Sequence, residues 1–268
     1  MDACTITDQE FRNFQEFVRQ MAGISLSPAK KALVSGRLMK RLRHYHLATY
    51  KDYFQFIMSG LEPSELQTAL DLLTTNETYF FREPQHFDFL SDTILPAHRP
   101  GQPFRVWSAA CSSGEEPYTI AMVLADRLGA GTWDVLASDI SARVLDKARS
   151  GHYSMDRAEK IPPRYLNAYC LKGIGAQAGT FLLDKPVRSR VQFMSINLNA
   201  ALPPLGPFDV IFLRNVMIYF ALDTKRQVVD RLLGVLKPGG YLIVSHSETL
   251  HGITDRLKML RSSVYRKS

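Results

Sequence analysis

The stretch "RVWSAACSSGEEPYTIA", residues 105–121, reads as a short apolar strand, a turn of very small residues and the first turns of a helix. A strand–turn–helix of this kind is where an α/β nucleotide-binding fold places its glycine-rich loop. Here the turn has one glycine, Gly114, and two adjacent acids, Glu115 and Glu116. Ala109, Ala110, Ser112 and Ser113 supply the smallness that lets a backbone approach a ligand. A pyrophosphate would favour the bare positive end of the next helix, and the two carboxylates oppose it. A ligand carrying a ribose and a cationic amine fits better, and S-adenosylmethionine has both. The same carboxylates also complement the helix dipole, so the turn alone does not choose.

Around this stretch, strand and helix alternate. "FRVWSAA" (104–110) precedes a helix over 115–128 closed by Gly129. "DVLASDI" (134–140) precedes a helix over 142–150, with Ser141 as N-cap and Gly151 beyond its end. "VQFMSINL" (191–198), "FDVIFLRN" (208–215), a helix over 224–236 capped by Asp223, "YLIVSHSE" (241–248) and a last strand "SSVYRK" (262–267) continue the series. This alternation predicts a doubly wound, mostly parallel sheet. Residues between Gly151 and Val191 interrupt it. Gly173, Gly175 and Gly179 imitate a phosphate loop, but no strand-to-helix transition follows them, so a hairpin-like β insertion is expected.

The first ninety residues carry helix signals only. Thr7-x-x-Glu10 and Ser64-x-x-Gln67 are capping-box patterns. The first opens an amphipathic run through Phe11, Phe14, Phe17, Val18 and Met21, ended by Gly23. Ser27-Pro28 marks the start of a helix that carries Leu33, Val34, Leu38, Leu42 and Tyr45 on one side. Lys30, Arg37, Arg41 and His44 share another face of it.

Of the 268 residues, 46% are hydrophobic and 22% charged, which points to a globular chain with no disordered tract. The longest apolar runs are far below the roughly 20 residues of a membrane span. The acidic, polar start does not read as a secretory signal, and a cytoplasmic protein is expected. Cys4, Cys111 and Cys170 are too few and too scattered for a disulfide framework or a zinc site. A formal charge of +7 suits an anionic partner, whether nucleic acid, membrane surface or acidic protein.

Two further signals sharpen the choice of ligand. Asp139 stands at the end of the second strand, 25 residues after Gly114, where a carboxylate pairs with ribose hydroxyls. "LKPGG" at 236–240 reads as a helix stop and a tight turn into a strand. "TTNETYFFRE" (74–83), "VWSAACSSGEEPYTIA" (106–121), "ASDIS" (137–141), "FLRNVMIYF" (212–220) and "LKPGGYLIVSHSE" (236–248) together resemble the chemotaxis receptor methyltransferases, the CheR family, over nearly the whole chain.

The resemblance implies a class I methyltransferase domain over residues 91–268, with a β insertion at about 152–192, preceded by an all-α domain and linker over 1–90. It implies methyl transfer from S-adenosylmethionine to glutamates of chemoreceptors, giving methyl esters. Carried over motif by motif, Asn76, Thr78 and Arg82 contact the donor, with Ala110 and Gly114 in its turn. Glu116 holds the methionine amine and Asp139 the ribose. Asn197 and Leu198 meet the adenine, and Arg214 and Asn215 close the pocket. Arg82 and Tyr219 face the incoming glutamate, and no metal is implied. Lys30, Arg37 and Arg41 become a docking face for receptor helices, and in some members the insertion grips a receptor's C-terminal peptide. Membrane receptor arrays are then the expected place of work. Cys111 reads as a small buried filler, since no base accompanies it.

Two other readings remain from the residues. A nucleic-acid methyltransferase would suit the basic charge, but the fourth strand lacks an Asn/Asp-Pro-Pro-aromatic motif and there is no Pro-Cys nucleophile. A non-catalytic protein that binds S-adenosylmethionine and docks on receptors would not require both Arg82 and Tyr219.

Overall fold

A computed structural model describes residues 5–268; Cys4 lies outside them. The helical part comprises α1 (Asp8–Ala22), α2 (Lys31–His44), α3 (Tyr50–Met58) and α4 (Pro63–Leu73). The Thr7–Glu10 capping box forms, and Gly23 ends α1 at φ 72°. A single turn over Pro28–Lys30 precedes α2, and Ser27 makes no side-chain cap. The Ser64–Gln67 box does not form. Pro63 starts α4, Ser64 Oγ donates to Glu62, and Gln67 Nε2 donates to Asp71 and to the Ile140 carbonyl. A capping box not expected from the sequence, Thr49 with Asp52, opens α3. Phe14, Val18, Val34, Leu38, Tyr53 and Leu73 belong to the buried cluster of this part.

After α4 the chain packs elsewhere. Phe80, Phe81, Phe87, Phe89 and Leu90 enter the core beneath the sheet, with α5 (Gln85–Phe89) among them. Then come β1 (Phe104–Ala109), α6 (Glu115–Leu128), β2 (Trp133–Asp139) and α7 (Ala142–Ser150). Next are β3 (His152–Ser154), α8 (Pro163–Tyr169), β4 (Cys170–Lys172), β5 (Thr180–Leu183), α9 (Lys185–Arg188) and β6 (Val191–Ser195). The chain closes with β7 (Phe208–Leu213), α10 (Leu222–Val235), β8 (Leu236–Val244), β9 (Leu257–Arg261) and β10 (Val264–Lys267).

Seven strands form one sheet in the order β6-β2-β1-β7-β8-β10-β9. The first five run parallel, and β10 pairs antiparallel with both β8 and β9. The order reverses between β1 and β7, which opens a crevice at the carboxyl ends of those strands. Trp107, Val210, Phe212 and Ile243 are fully buried, as neighbours in a sheet covered on both faces should be.

Two boundary expectations are corrected, and one strand was not foreseen. Asp223 lies inside the first turn of α10, whose N-cap is Ala221. The "LKPGG" turn is absorbed into β8 as a bulge: Leu236 pairs with Phe208 and Tyr241 with Val210. The last strand has a hairpin partner, β9, whose exposed "LKMLR" gave no alternating pattern. The interruption after Gly151 is a three-stranded antiparallel sheet, β3-β5-β4. Its glycines form the β4–β5 turn, closed by Gly173 N donating to the Thr180 carbonyl at 2.8 Å.

Candidate active site

A cavity of about 300 Å³ opens at the β1/β7 crevice. Its floor is the turn after β1, and its walls come from residues 74–82, 196–198, 214–220 and the link between α1 and α2. That link is tied to the far wall by an Ile24–Phe220 bridge and by Ser25 N donating to the Tyr219 carbonyl at 2.8 Å. Helical part and sheet therefore build one pocket together.

The floor turn does with alanine and serine what is usually left to glycine. Ala110 has φ 80° and Ser112 φ 49°, in the left-handed region that non-glycine residues rarely adopt. Hydrogen bonds hold them there. Ala110 N and Cys111 N both donate to the Ser138 carbonyl at 2.8 Å. Ser112 N donates to Asp139 Oδ2 at 2.9 Å, and Ser112 Oγ to the Asn76 carbonyl at 3.0 Å. Asn215, also in the lining, is likewise left-handed at φ 57°, so three non-glycine residues of this cavity hold that conformation.

Asn76, Thr78, Arg82, Ala110, Glu116, Asp139, Asn197, Leu198, Arg214, Asn215 and Tyr219 all line it. Gly114 does not. A Cβ there would lie 2.7 Å from the Tyr153 hydroxyl and 2.9 Å from Ala148, so packing against the insertion and α7 demands the glycine. Asn197 also braces the wall it belongs to. Its amide donates to the Met21 carbonyl at 2.6 Å and accepts from Asn199 N at 2.9 Å. Cys111 is buried, and desolvation raises its thiol well above the usual range, so it is no nucleophile.

The polar groups are arranged by charge. Glu116 accepts from Ser108 Oγ at 2.7 Å and from Arg214 at 2.8 Å. Arg214 is 1% exposed and also reaches Glu83 at 3.2 Å and the Arg82 carbonyl at 2.5 Å. Asp139 accepts from Ser112 N and Ser141 N. Burial pushes its carboxyl up, against those N–H groups, which pull it down. Arg82 donates to the Glu77 carbonyl at 2.8 Å and lies over the Tyr79 ring, 5.6 Å from its centroid. It makes no ion pair among the described residues, because Glu83 is held by Arg214 instead. Tyr219 is half-buried. Desolvation raises its pKa, with Arg82 opposing, so the hydroxyl keeps its proton at neutral pH and can donate.

Two cations of the basic α2 face are engaged within the helical part. Arg41 is bound to Glu65 by Nε at 2.8 Å and Nη2 at 2.5 Å. Arg37 donates to the carbonyls of Leu72 and Thr74 at the end of α4. Both cations hold the helices together, which spacing on one helix cannot reveal. Lys30 is exposed and lines the cavity rim.

One acid was missed by sequence reasoning, and the buried ion pair of another, Glu115, was not foreseen. Glu115 is fully buried, bonded to Ser113 Oγ and paired with Arg157, with burial pushing its carboxyl up. Glu248, within the quoted "SHSE", accepts from Asn215 N at 3.0 Å, Ile218 N at 3.2 Å and Ser245 N at 3.0 Å. It thereby shapes the loop that carries Tyr219. Glu248→Gln exchanges a charged acceptor for a neutral amide. Amide exchange at Asn215 and Ile218 is expected to accelerate, with a stability loss of about 1–3 kcal/mol; unchanged protection would refute this role.

A family model described as "CheR methyltransferase, SAM binding domain" matches residues 76–266, and "CheR methyltransferase, all-alpha domain" matches residues 9–74. The chain belongs to the CheR methyltransferase family. It is 41% identical to the "Chemotaxis protein methyltransferase" of Escherichia coli (strain K12), covering 97% of this chain and 91% of that protein. It is 38% identical to "Chemotaxis protein methyltransferase 2" of Pseudomonas aeruginosa, covering 97% and 93%. Among solved structures, N-methyltransferase NodS from Bradyrhizobium japonicum WM9 matches at 13% identity and TM-score 0.40, over 69% of this chain and 96% of that one. The family match and the seven-stranded, mostly parallel sheet give the chain the class I methyltransferase fold, with the all-α domain of its family in front. No helix among the described residues is long and apolar enough to cross a membrane.

Proposed function

We propose that this protein methylates glutamate side chains on the helical cytoplasmic regions of chemoreceptors, with S-adenosylmethionine as donor and γ-glutamyl methyl esters as product. The observation that carries the reading is one cavity with Glu116 and Asp139 on its inner side and Arg82 and Tyr219 on its lining. Its donor set fits the cofactor. Glu116 is an anionic partner for the amine, Asp139 an acceptor for ribose hydroxyls, and Leu198, Ile140 and Ile196 an apolar wall for the adenine. S-adenosylmethionine, when bound, supplies a methyl group on a cationic sulfur.

The chain's own residues then have little acid–base work. A glutamate, with a pKa near ~4.3, is ionised at neutral pH and needs no general base. Arg82 and Tyr219 orient the incoming carboxylate by contacting one of its oxygens, leaving the other free to attack. Engaging both oxygens would blunt the nucleophile. Alignment of this kind is worth up to roughly 7–11 kcal/mol.

Lys30 at the rim is the proposed docking cation for an acidic receptor helix. The insertion sheet has an edge strand, β4, with Leu171 and Ile174 exposed nearby; a receptor's C-terminal peptide adding a strand there belongs to the same proposal. So does the division of the chain into an all-α domain, a linker up to about residue 90 and a methyl-transfer domain. Work at receptor arrays on the cytoplasmic side follows from the substrate.

Calorimetry with S-adenosylhomocysteine is expected to give one site, weakened on the order of 10–100-fold by Asp139→Asn, since the amide cannot accept both backbone N–H groups and a ribose. Receptor-containing membranes with labelled donor should then yield base-labile label released as methanol. An absence of binding heat, or label stable to base, would overturn the reading.

A further inference from the structure

Behind Arg214, outside the donor cavity's lining, three acceptors converge. Glu83 follows the "FFR" segment, His86 stands in the first turn of α5, and His246 lies just beyond β8. One ligand atom from each lies within 4.8 Å of the other two. We propose that Glu83, His86 and His246 form a binding site for a first-row transition-metal dication, with zinc the ion their donor types match.

The hydrogen bonds around Ser263 favour one placement of the ring protons. Ser263 Oγ donates to the Ser262 carbonyl at 2.6 Å. Its single proton is thereby engaged, and the oxygen accepts from both imidazoles: His86 Nε2 at 2.7 Å and His246 Nδ1 at 3.3 Å. In that placement each ring carries its proton on the Ser263 side and turns a lone pair towards Glu83. His86 Nδ1 lies 3.4 Å from Glu83 Oε2, and His246 Nε2 lies 3.9 Å from the same oxygen.

Glu83 Oε2 already takes the His246 backbone N–H at 3.1 Å and Arg214 at 3.2 Å. With the ring protons so placed, none lies between it and either imidazole lone pair, and a cation there removes that conflict. His86 makes the point most sharply. Its side chain is 0% exposed, and Nδ1 has no hydrogen-bond partner among the described residues. A buried, unpartnered ring nitrogen aimed at a carboxylate costs free energy unless something binds there.

Two imidazoles and one carboxylate are a zinc donor set, and Ser263 is the outer partner that orients both rings. With metal–ligand bonds of about 2.0–2.2 Å, ligand atoms in a tetrahedron sit about 3.3–3.5 Å apart. The His86–Glu83 separation already matches. His246 is 40% exposed, so its ring can close the remaining gap and give an ion access from solvent. Arg214 shares the Glu83 carboxylate with the proposed ion, and its own charge is offset by Glu116. Arg261, which donates to the Gln85 carbonyl and lies over Phe89, is the cation that counts against the ion.

The test is titration of the full chain with zinc ions by calorimetry, and with cobalt(II) by visible absorption. One site per chain is expected, with the intense bands of four- or five-coordinate cobalt. His246→Ala removes an accessible ligand from the surface without emptying the core. It should weaken zinc by more than the ~10–100-fold that an outer partner costs, and Ser263→Ala should fall within that range. A silent titration would mean that a proton shared between Glu83 and an imidazole resolves the conflict, and would overturn the proposal. Zinc bound equally well by His246→Ala would place the ion elsewhere and overturn it too.

Discussion

Arg82→Ala is expected to lower kcat for receptor methylation on the order of 100-fold, the loss that misplacing a reacting group by about 1 Å can cause. The expectation rests on how Arg82 is held. Its guanidinium is fixed on one side by the Glu77 carbonyl and on a face by Tyr79, and it forms no ion pair among the described residues. The obvious alternative, a surface pair with Glu83, is excluded because Glu83 reaches Arg214. A positioned cation lining the cavity with no carboxylate of its own is suited to receive one from another polypeptide. Arg82→Lys should not restore the rate, because a flexible ammonium lacks the planar fork that meets the Glu77 carbonyl and an incoming carboxylate together. Affinity for S-adenosylhomocysteine should fall far less than kcat. A parallel loss of both would assign Arg82 to donor binding, and an unchanged kcat would remove it from the site.

Most of the architecture was legible because local signals and global packing agree. The turn after β1 announced itself by smallness, and helices 115–128 and 142–150 were bounded by glycines and a serine cap that behave as read. What escaped has a physical reason in each case. The exposed strand β9 buries little, so no alternation marks it. Ser64-x-x-Gln67 satisfied a pattern, but Pro63 began the helix earlier and Gln67 turned to the Ile140 carbonyl, a partner 73 residues away. Gly114 was assigned to the ligand when its neighbours are Tyr153 and Ala148, contacts made by chain far downstream. The role of Glu248 and the burial of Glu115 went unread because their partners are backbone N–H groups, a serine hydroxyl and an arginine brought together only by the fold.

The basic face of α2 shows the same limit with the largest consequence for stability. Arg41→Ala is expected to destabilise the protein by about 3 kcal/mol, the lower end of the cost of breaking a buried ion pair, since Arg41 itself is partly exposed. Glu65 is 1% exposed and takes bonds from Arg41, from the Tyr53 hydroxyl at 2.6 Å and from the Tyr45 hydroxyl at 3.1 Å. Burial pushes its carboxyl up, but these donors together outweigh burial and hold it below the usual carboxylate range. With the folded value depressed, the contribution is complete above the unfolded value of ~4.3 and fades as pH falls through the folded one. Glu65→Gln should therefore lose most at neutral pH and little in strong acid. The double replacement Arg41→Met with Glu65→Leu should recover much of the stability, because it removes both charges and leaves neither buried alone. It also separates the two roles open to Arg41. If Arg41 only braces the helices, the double variant methylates receptors at the parent rate, whereas Lys30→Glu slows methylation, most at low salt where exposed charges act over the longest range. A double variant that is stable yet slow would return Arg41 to the docking surface.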